Sequence, residues 1–255
     1  MSAEHISDRY KMTTIAHQDH LFDGPLSKAR AQQLIELLDL KPQAQVLDLG
    51  CGKADFLCRV LARYQAEGVG VDQIPAALQQ ARLRAERHGL NLDRQLTLLN
   101  QDAQTLTFET DRFDLAICIG ASQALGGYLP SLQAFQEWVK PGGLILIGEG
   151  YMKQPPDPAY LDFLGANEAD AYSHRENIQR AEDLGLISLY SCVSNQDEWD
   201  HYEGLYALSV ERYLHQHPDD PDGPSLRQRI RRWKQAVQQW GRDTLGMGFY
   251  LLLVP

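Results

Sequence analysis

Val46-Leu47-Asp48-Leu49-Gly50-Cys51-Gly52 runs an apolar stretch into a glycine turn. Glycines in such a turn let the backbone approach a ligand closely and adopt positive φ. Turns at the carboxyl ends of parallel strands are where open α/β sheets bind ligands. That much suits any nucleotide-like cofactor, and the acids narrow it. Gly50 and Gly52 begin a G-x-G-x-x-G pattern whose last position is Asp55. A dinucleotide places pyrophosphate at this helix N-terminus, where Asp55 would repel it. Asp55 also reads as a helix N-cap. Asp48, just before the turn, can face a cationic group. Asp72, followed by Gln73, ends the next apolar run, where an acid hydrogen-bonds two ribose hydroxyls. NAD and S-adenosylmethionine satisfy Asp72 equally, but only the second is a cation without phosphate. Asp102-Ala103 follows the third run, and a carboxylate there can accept from an adenine amino group.

A second set of residues suits the acceptor of a group transfer. Glu149 lies between Gly148 and Gly150, ahead of Tyr151, at the end of the fifth apolar run. It is a candidate general base or cation-orienting group; a carboxylate that holds loop hydrogen bonds has the same pattern. His20 is a second candidate base, against the ordinary reading of a surface histidine. Trp199, Tyr202 or Glu203, and Tyr206 share a helix face by three-and-four spacing. They can form an aromatic wall for a cationic or flat substrate, or simply pack. No histidine pair has a metal-ligand spacing with acids, and no metal is expected.

Short apolar runs alternate with helical patterns: strands at Gln45–Leu49, Gly68–Val71, Leu96–Asn100, Phe113–Ile119 and Gly143–Glu149, with helices between them. Such alternation predicts a doubly wound, mostly parallel sheet with helices on both faces. Pro155, Pro156 and Pro158 mark a loop. Strands follow at Leu186–Val193 and Gly248–Val254. Between them lie two helical stretches, Asp197–His215 and Ser225–Gly241, which can fold over the site as a cap. The chain reads as one domain, 1–255. A covering segment and helix occupy 1–40, a binding core 41–150, and the cap insertion 195–245.

VLDLGCG, GVGVD, QDA, FDLAICIGA and VKPGGLILIGEG, in that order, resemble the motif set of class I S-adenosylmethionine-dependent methyltransferases. The resemblance implies a seven-stranded Rossmann-like methyltransferase fold and S-adenosylmethionine as cofactor. It implies Asp48, Gly50 and Gly52 for the methionyl part, Asp72 and Gln73 for the ribose, and Asp102 and Ala103 for the adenine. Gly120 falls near the methionyl group. Lys53-Ala54 departs from the pattern, where a further glycine is usual. IGASQALGG, IGEGYMKQPP, DEWDHYEG, HPDD and GMGFYLLLV extend the resemblance to a bacterial methyltransferase family of poorly defined small-molecule substrate.

The 255 residues carry a net charge of -10, and an acidic field repels phosphate backbones. Arg227, Arg229, Arg231, Arg232 and Lys234 form one basic run, readable as a solvated helix face. The end of the fourth strand, Gly120-Ala121-Ser122-Gln123-Ala124, lacks the Asn/Asp-Pro-Pro-Tyr and Pro-Cys motifs of DNA methylases. A small-molecule acceptor is therefore expected, with no nucleic-acid or membrane partner. Cys51, Cys58, Cys118 and Cys192 show no C-x-x-C spacing, and a reduced cytoplasmic location is expected. Two other functions compete: a catalytically silent S-adenosylmethionine-binding sensor, and a nicotinamide oxidoreductase. The acceptor atom and the oligomeric state are left open.

Overall fold

The computed structural model describes residues 8–92 and 94–255; residues 1–7 of the expected covering segment lie outside them. Seven strands form one sheet: β1 (Gln45–Leu49), β2 (Glu67–Asp72), β3 (Leu96–Asn100), β4 (Phe113–Ile119), β5 (Val139–Met152), β6 (Ile187–Val193) and β7 (Leu245–Leu253). Their order is 3-2-1-4-5-7-6. The first five pair in parallel, while β7 runs antiparallel between β5 and β6. The chain reverses its direction of travel across the sheet between β1 and β4, the switch point at which such sheets bind ligands.

Helices α1 (Lys11–Ala16), α2 (Lys28–Glu36), α3 (Asp55–Tyr64), α4 (Pro75–Arg87), α5 (Tyr128–Trp138), α6 (Pro158–Leu164) and α7 (His174–Asp183) precede two longer ones, α8 (Gln196–Gln216) and α9 (Gly223–Ala236). Successive strand residues point to opposite faces. Val46, Leu115, Ile117 and Leu146 therefore pack under α2, α3 and α4. Leu47, Leu49, Ala116, Cys118 and Ile147 pack on the other face with α5 and α7. Burial on both faces explains why these strands are apolar throughout.

The insertion between β6 and β7 is helical. Its core is separate from the other two: Met12, Ile15 and Ala16 of α1 meet Ala207, Val210 and Leu214 of α8 and Leu226 and Ile230 of α9. A capping box of Asn195 and Glu198 starts α8. Glu198 also accepts from Ser27 Oγ at 2.6 Å and pairs with Arg30, which ties the insertion to α2.

Four boundaries differ from the sequence expectation. Helix α1 spans six residues, too short for a periodic signal. The proline loop contains α6, where Asp157 caps and Pro158 takes the first turn, an arrangement proline favours. β5 continues past Glu149 to Met152 because β7 starts at Leu245 and pairs with it there. Asp55 is the first residue of α3 rather than its N-cap; Ala54 takes that place, with no side-chain cap bond.

Candidate active site

The carboxyl ends of β1, β2, β3 and β4 open into a cavity of about 450 Å³. Gly50, Gly52, Asp72, Gln73, Asp102, Ala103 and Gly120 all line it, as do His17, Asp23 and Tyr202 from the covering segment and α8. Gly50, Gly52 and Gly120 have φ of 73°, 52° and 70°, the left-handed region that side chains avoid. A Cβ on Gly50 would collide with the Ala121 side chain, so the turn and the end of β4 touch only because that position is glycine. Ala54 is also left-handed, at φ 53°, so the departure from a further glycine keeps the backbone shape.

Asp72 braces this turn. Its two carboxylate oxygens accept from the Gly52 N–H at 2.9 Å and the Ile74 N–H at 2.8 Å. Each oxygen keeps a lone pair for a ligand hydroxyl. Burial raises its pKa, opposed by those two N–H groups. Asp102 caps a short 3₁₀ turn through Oδ1, which accepts from Gln104 N–H at 3.1 Å. Asp48 lies behind the turn in an adjoining space of about 60 Å³, which shares Asp23, Gly50, Gly52 and Ile119 with the larger cavity. It is 4% exposed. Burial, and then the neighbouring Asp72 charge, raise its pKa to about 8.

Lys53, the departure from the glycine pattern, has a visible task. Its ammonium is buried and donates to the His17 and His20 carbonyls, each at 2.6 Å, and it pairs with Asp23 at 2.8 Å. The glycine turn thereby holds the covering segment down over the cavity. Asp55 points elsewhere, to Arg59 at 2.6 Å, Arg84 and His88. The case against a pyrophosphate therefore rests on Asp23, Asp72 and Asp102 rather than on Asp55. The larger cavity has no lysine or arginine in its wall.

The expected acceptor residues separate. The His20 ring does not line the large cavity. Its Nε2 donates to the Tyr202 carbonyl at 2.9 Å, and Nδ1 is buried without a partner. His17 is the histidine that faces the cavity. Its Nδ1 donates to the Thr13 carbonyl at 2.9 Å, which leaves Nε2 to accept from the Tyr202 hydroxyl at 3.2 Å. Burial lowers the pKa of both rings. The sequence missed His17 and Asp23 because α1, which sets their direction, was not legible.

Glu149 is half-buried and outside the cavity wall. Oε1 accepts from the Gly150 N–H at 3.0 Å, and Oε2 is buried without a partner. Burial raises its pKa against the pull of Ser122 and the Gly150 N–H. Tyr151 does not line a cavity. Its ring covers Gly246, its cross-strand neighbour, and meets the His174 ring at 5.4 Å. The early start of β7 turns it from a loop residue into a packing residue. Tyr202 faces the large cavity, whereas Trp199 and Glu203 line a different chamber. Tyr206 stands between them, 5.1 Å from the His17 ring and 5.9 Å from Trp233. Among the described residues, no three His, Cys, Asp or Glu side chains gather as a metal site.

The strand order with one reversed strand, and an acid-lined cavity at the switch point, define a Rossmann-like methyltransferase. The methyltransferase domain family matches residues 40–207, and the chain belongs to that family. It is 26% identical over 245 residues to the uncharacterized protein YjhP of Escherichia coli, covering 95% of this chain and 98% of that protein. A SAM-dependent methyltransferase from Geobacter sulfurreducens, solved with S-adenosyl-L-homocysteine, superposes with a TM-score of 0.89 at 29% identity, covering 97% of this chain and 99% of the other. One from Thiobacillus denitrificans, also solved with S-adenosyl-L-homocysteine, gives 0.88 at 27% identity, with 96% and 98% covered.

Proposed function

We propose that the protein transfers a methyl group from S-adenosylmethionine to a small-molecule acceptor. The observation that carries this reading is the cavity of about 450 Å³ with Asp23, Asp72 and Asp102 in its wall and no lysine or arginine. Such a wall suits a cation and disfavours a pyrophosphate. S-adenosylmethionine supplies an electrophilic methyl when bound. Asp72 binds the ribose hydroxyls, Asp102 and Ala103 the adenine, and Gln73 the edge of the nucleoside. Gly50, Gly52 and Gly120 give the methionyl part close backbone contact, and Asp48 and Asp23 face its positive charge. His17 and Tyr202, held by Lys53 and α8, cover the donor and exclude water.

Alignment of donor and acceptor supplies much of the rate in such a displacement. A base is needed only for an acceptor that must lose a proton. Glu149 is assigned that task, because its buried Oε2 has no partner in the chain and can hold a proton from a hydroxyl or ammonium. The global negative charge and the acid-lined cavity argue against a polyanionic acceptor such as nucleic acid.

Calorimetry with S-adenosylmethionine, S-adenosylhomocysteine and NAD tests the reading. The first two should bind in the range of about 1 μM to 1 mM common to such sites, and NAD should not. Binding of NAD in place of the other two sinks it. In a metabolite screen that detects S-adenosylhomocysteine, Glu149→Gln should slow turnover by about 100-fold, the lower range for a general base.

A further inference from the structure

A second chamber, of about 460 Å³, lies between α8, the end of α9 and the start of β7. It shares no lining residue with the donor cavity. Trp199, Trp233 and Tyr160 present aromatic surface to it, and Ala207, Val237 and Leu245 present aliphatic surface. Glu203 is the half-buried carboxylate in this wall. Trp233 Nε1 donates to its Oε2 at 2.7 Å. Among the described residues no lysine, arginine or histidine pairs with it. The other charged groups, Asp200, Glu211, Lys234 and Arg242, are exposed at the mouth, where Arg242 is paired with Asp200. An ionised carboxylate held in an apolar wall without a cation is costly, and burial accordingly raises its pKa to about 6.

Two backbone features mark the same chamber. The residues after α9, Val237–Gly241, form a π-helical turn, a rare irregularity that occurs often at functional sites. Gly241 within it is the residue whose lack of a side chain lets the Tyr160 hydroxyl approach; a Cβ there would lie 2.8 Å from it. Gly204 sits within α8 with open space where its Cβ would be. Glycine in a helix interior costs about 0.5–1 kcal/mol relative to alanine, and no neighbour excludes alanine here. Its absence of a side chain widens the chamber's mouth.

We propose that this chamber binds a small monocation with a flat apolar body, the ammonium against Glu203 and the body among the rings of Trp199, Trp233 and Tyr160. An arylalkyl ammonium is the simplest member of that class. Aromatic faces attract cations, and the charge-assisted hydrogen bond to Glu203 selects an ammonium over a hydroxyl. Binding here needs no cofactor, so it goes beyond the transferase reading and stands apart from it.

Phenethylammonium, phenethyl alcohol and phenylacetate are titrated into the full-length protein without cofactor, read by tryptophan fluorescence and saturation-transfer NMR. Phenethylammonium should bind about tenfold tighter than the alcohol, and phenylacetate most weakly. Glu203→Gln should bring ammonium and alcohol to within about threefold, by loss of that charge-assisted bond. Gly204→Leu, which fills the mouth, should weaken all three. Equal affinities in the wild type overturn the proposal, as does an ammonium preference that survives Glu203→Gln. Parallel titration with S-adenosylhomocysteine reports whether each variant is folded and tests the transferase reading separately. Were Glu203→Gln to lose its fold, the wild-type ratio of ammonium to alcohol would still decide.

Discussion

Asp48 is a carboxylate at 4% exposure with no ion-pair partner among the described residues. With its pKa raised to about 8, it is mostly protonated at pH 7 in the cofactor-free protein. A sulfonium and an ammonium brought near it favour the ionised form. Binding of S-adenosylmethionine at pH 7 should therefore release up to about one proton. Calorimetry in phosphate and in Tris, whose ionisation enthalpies differ, measures that release as a difference in heat. Asp48→Asn should abolish the difference and weaken binding by about 10- to 100-fold, the worth of one charge-assisted contact. Identical heats in both buffers for the wild type would remove Asp48 from the cationic end. The sequence made the positions of Asp48, Asp72 and Asp102 legible because each follows directly from a strand end. It did not show the state of Asp48, which depends on how tightly residues 21–26 close over the turn.

The covering segment is held by one side chain. Lys53 makes three contacts, to His17, His20 and Asp23, from within the glycine turn itself. Lys53→Met keeps the aliphatic stem and removes all three. Amide hydrogens in residues 11–26 should then exchange at least about tenfold faster, as expected for a locally unfolding unit, while those of β1 and β4 stay protected. Affinity for S-adenosylhomocysteine should fall in parallel. Unchanged exchange in that segment would show that the α1–α8 core alone holds it. Elements of this kind were hard to read. β1, β3 and β4 were legible to the residue because strands buried on both faces are continuously apolar, and turn residues bound them. α1 has six residues, and its apolar positions Met12, Ile15 and Ala16 span barely one turn. β7 begins with Leu245-Gly246-Met247, where glycine blurs the pattern, so the register that places Tyr151 over Gly246 was invisible. The insertion's two helices were legible from periodicity. Which face of α8 meets the donor was not, since Tyr202 and Glu203 are neighbours in sequence and line different cavities.

At the scale of the whole molecule, the net charge of -10 is not spread evenly, since Asp23, Asp48, Asp72 and Asp102 gather at one end of the sheet. No helix among the described residues is long and apolar enough to cross a membrane. The clustered acids tie stability to pH with a definite sign. A carboxylate whose folded pKa lies above its unfolded value stabilises the fold below the unfolded pKa and loses that contribution as pH rises through the folded one. Asp48 and Glu203, raised to about 8 and about 6, both act this way. Buried His17, His20 and His174 are lowered, so their contribution is complete above about pH 6.5 and is lost on acidification. Lys53 is lowered by burial although Asp23 holds it up, and it acts against Asp48 only where it titrates. Between pH 7 and 8.5 the histidines and Glu203 have finished titrating, and Asp48 dominates. The cofactor-free protein should lose about 1 kcal/mol over that interval, or roughly 2–4 °C in Tm. Asp48→Asn should remove this loss, so the difference between the two profiles isolates the carboxylate from Lys53. Saturating S-adenosylmethionine should also remove it, because the bound cation keeps Asp48 ionised at both pH values. Differential scanning fluorimetry of the two proteins, with and without the cofactor, reads all four profiles. Parallel wild-type and variant curves would mean that Asp48 is already ionised in the cofactor-free fold, and the proton release would then vanish with them.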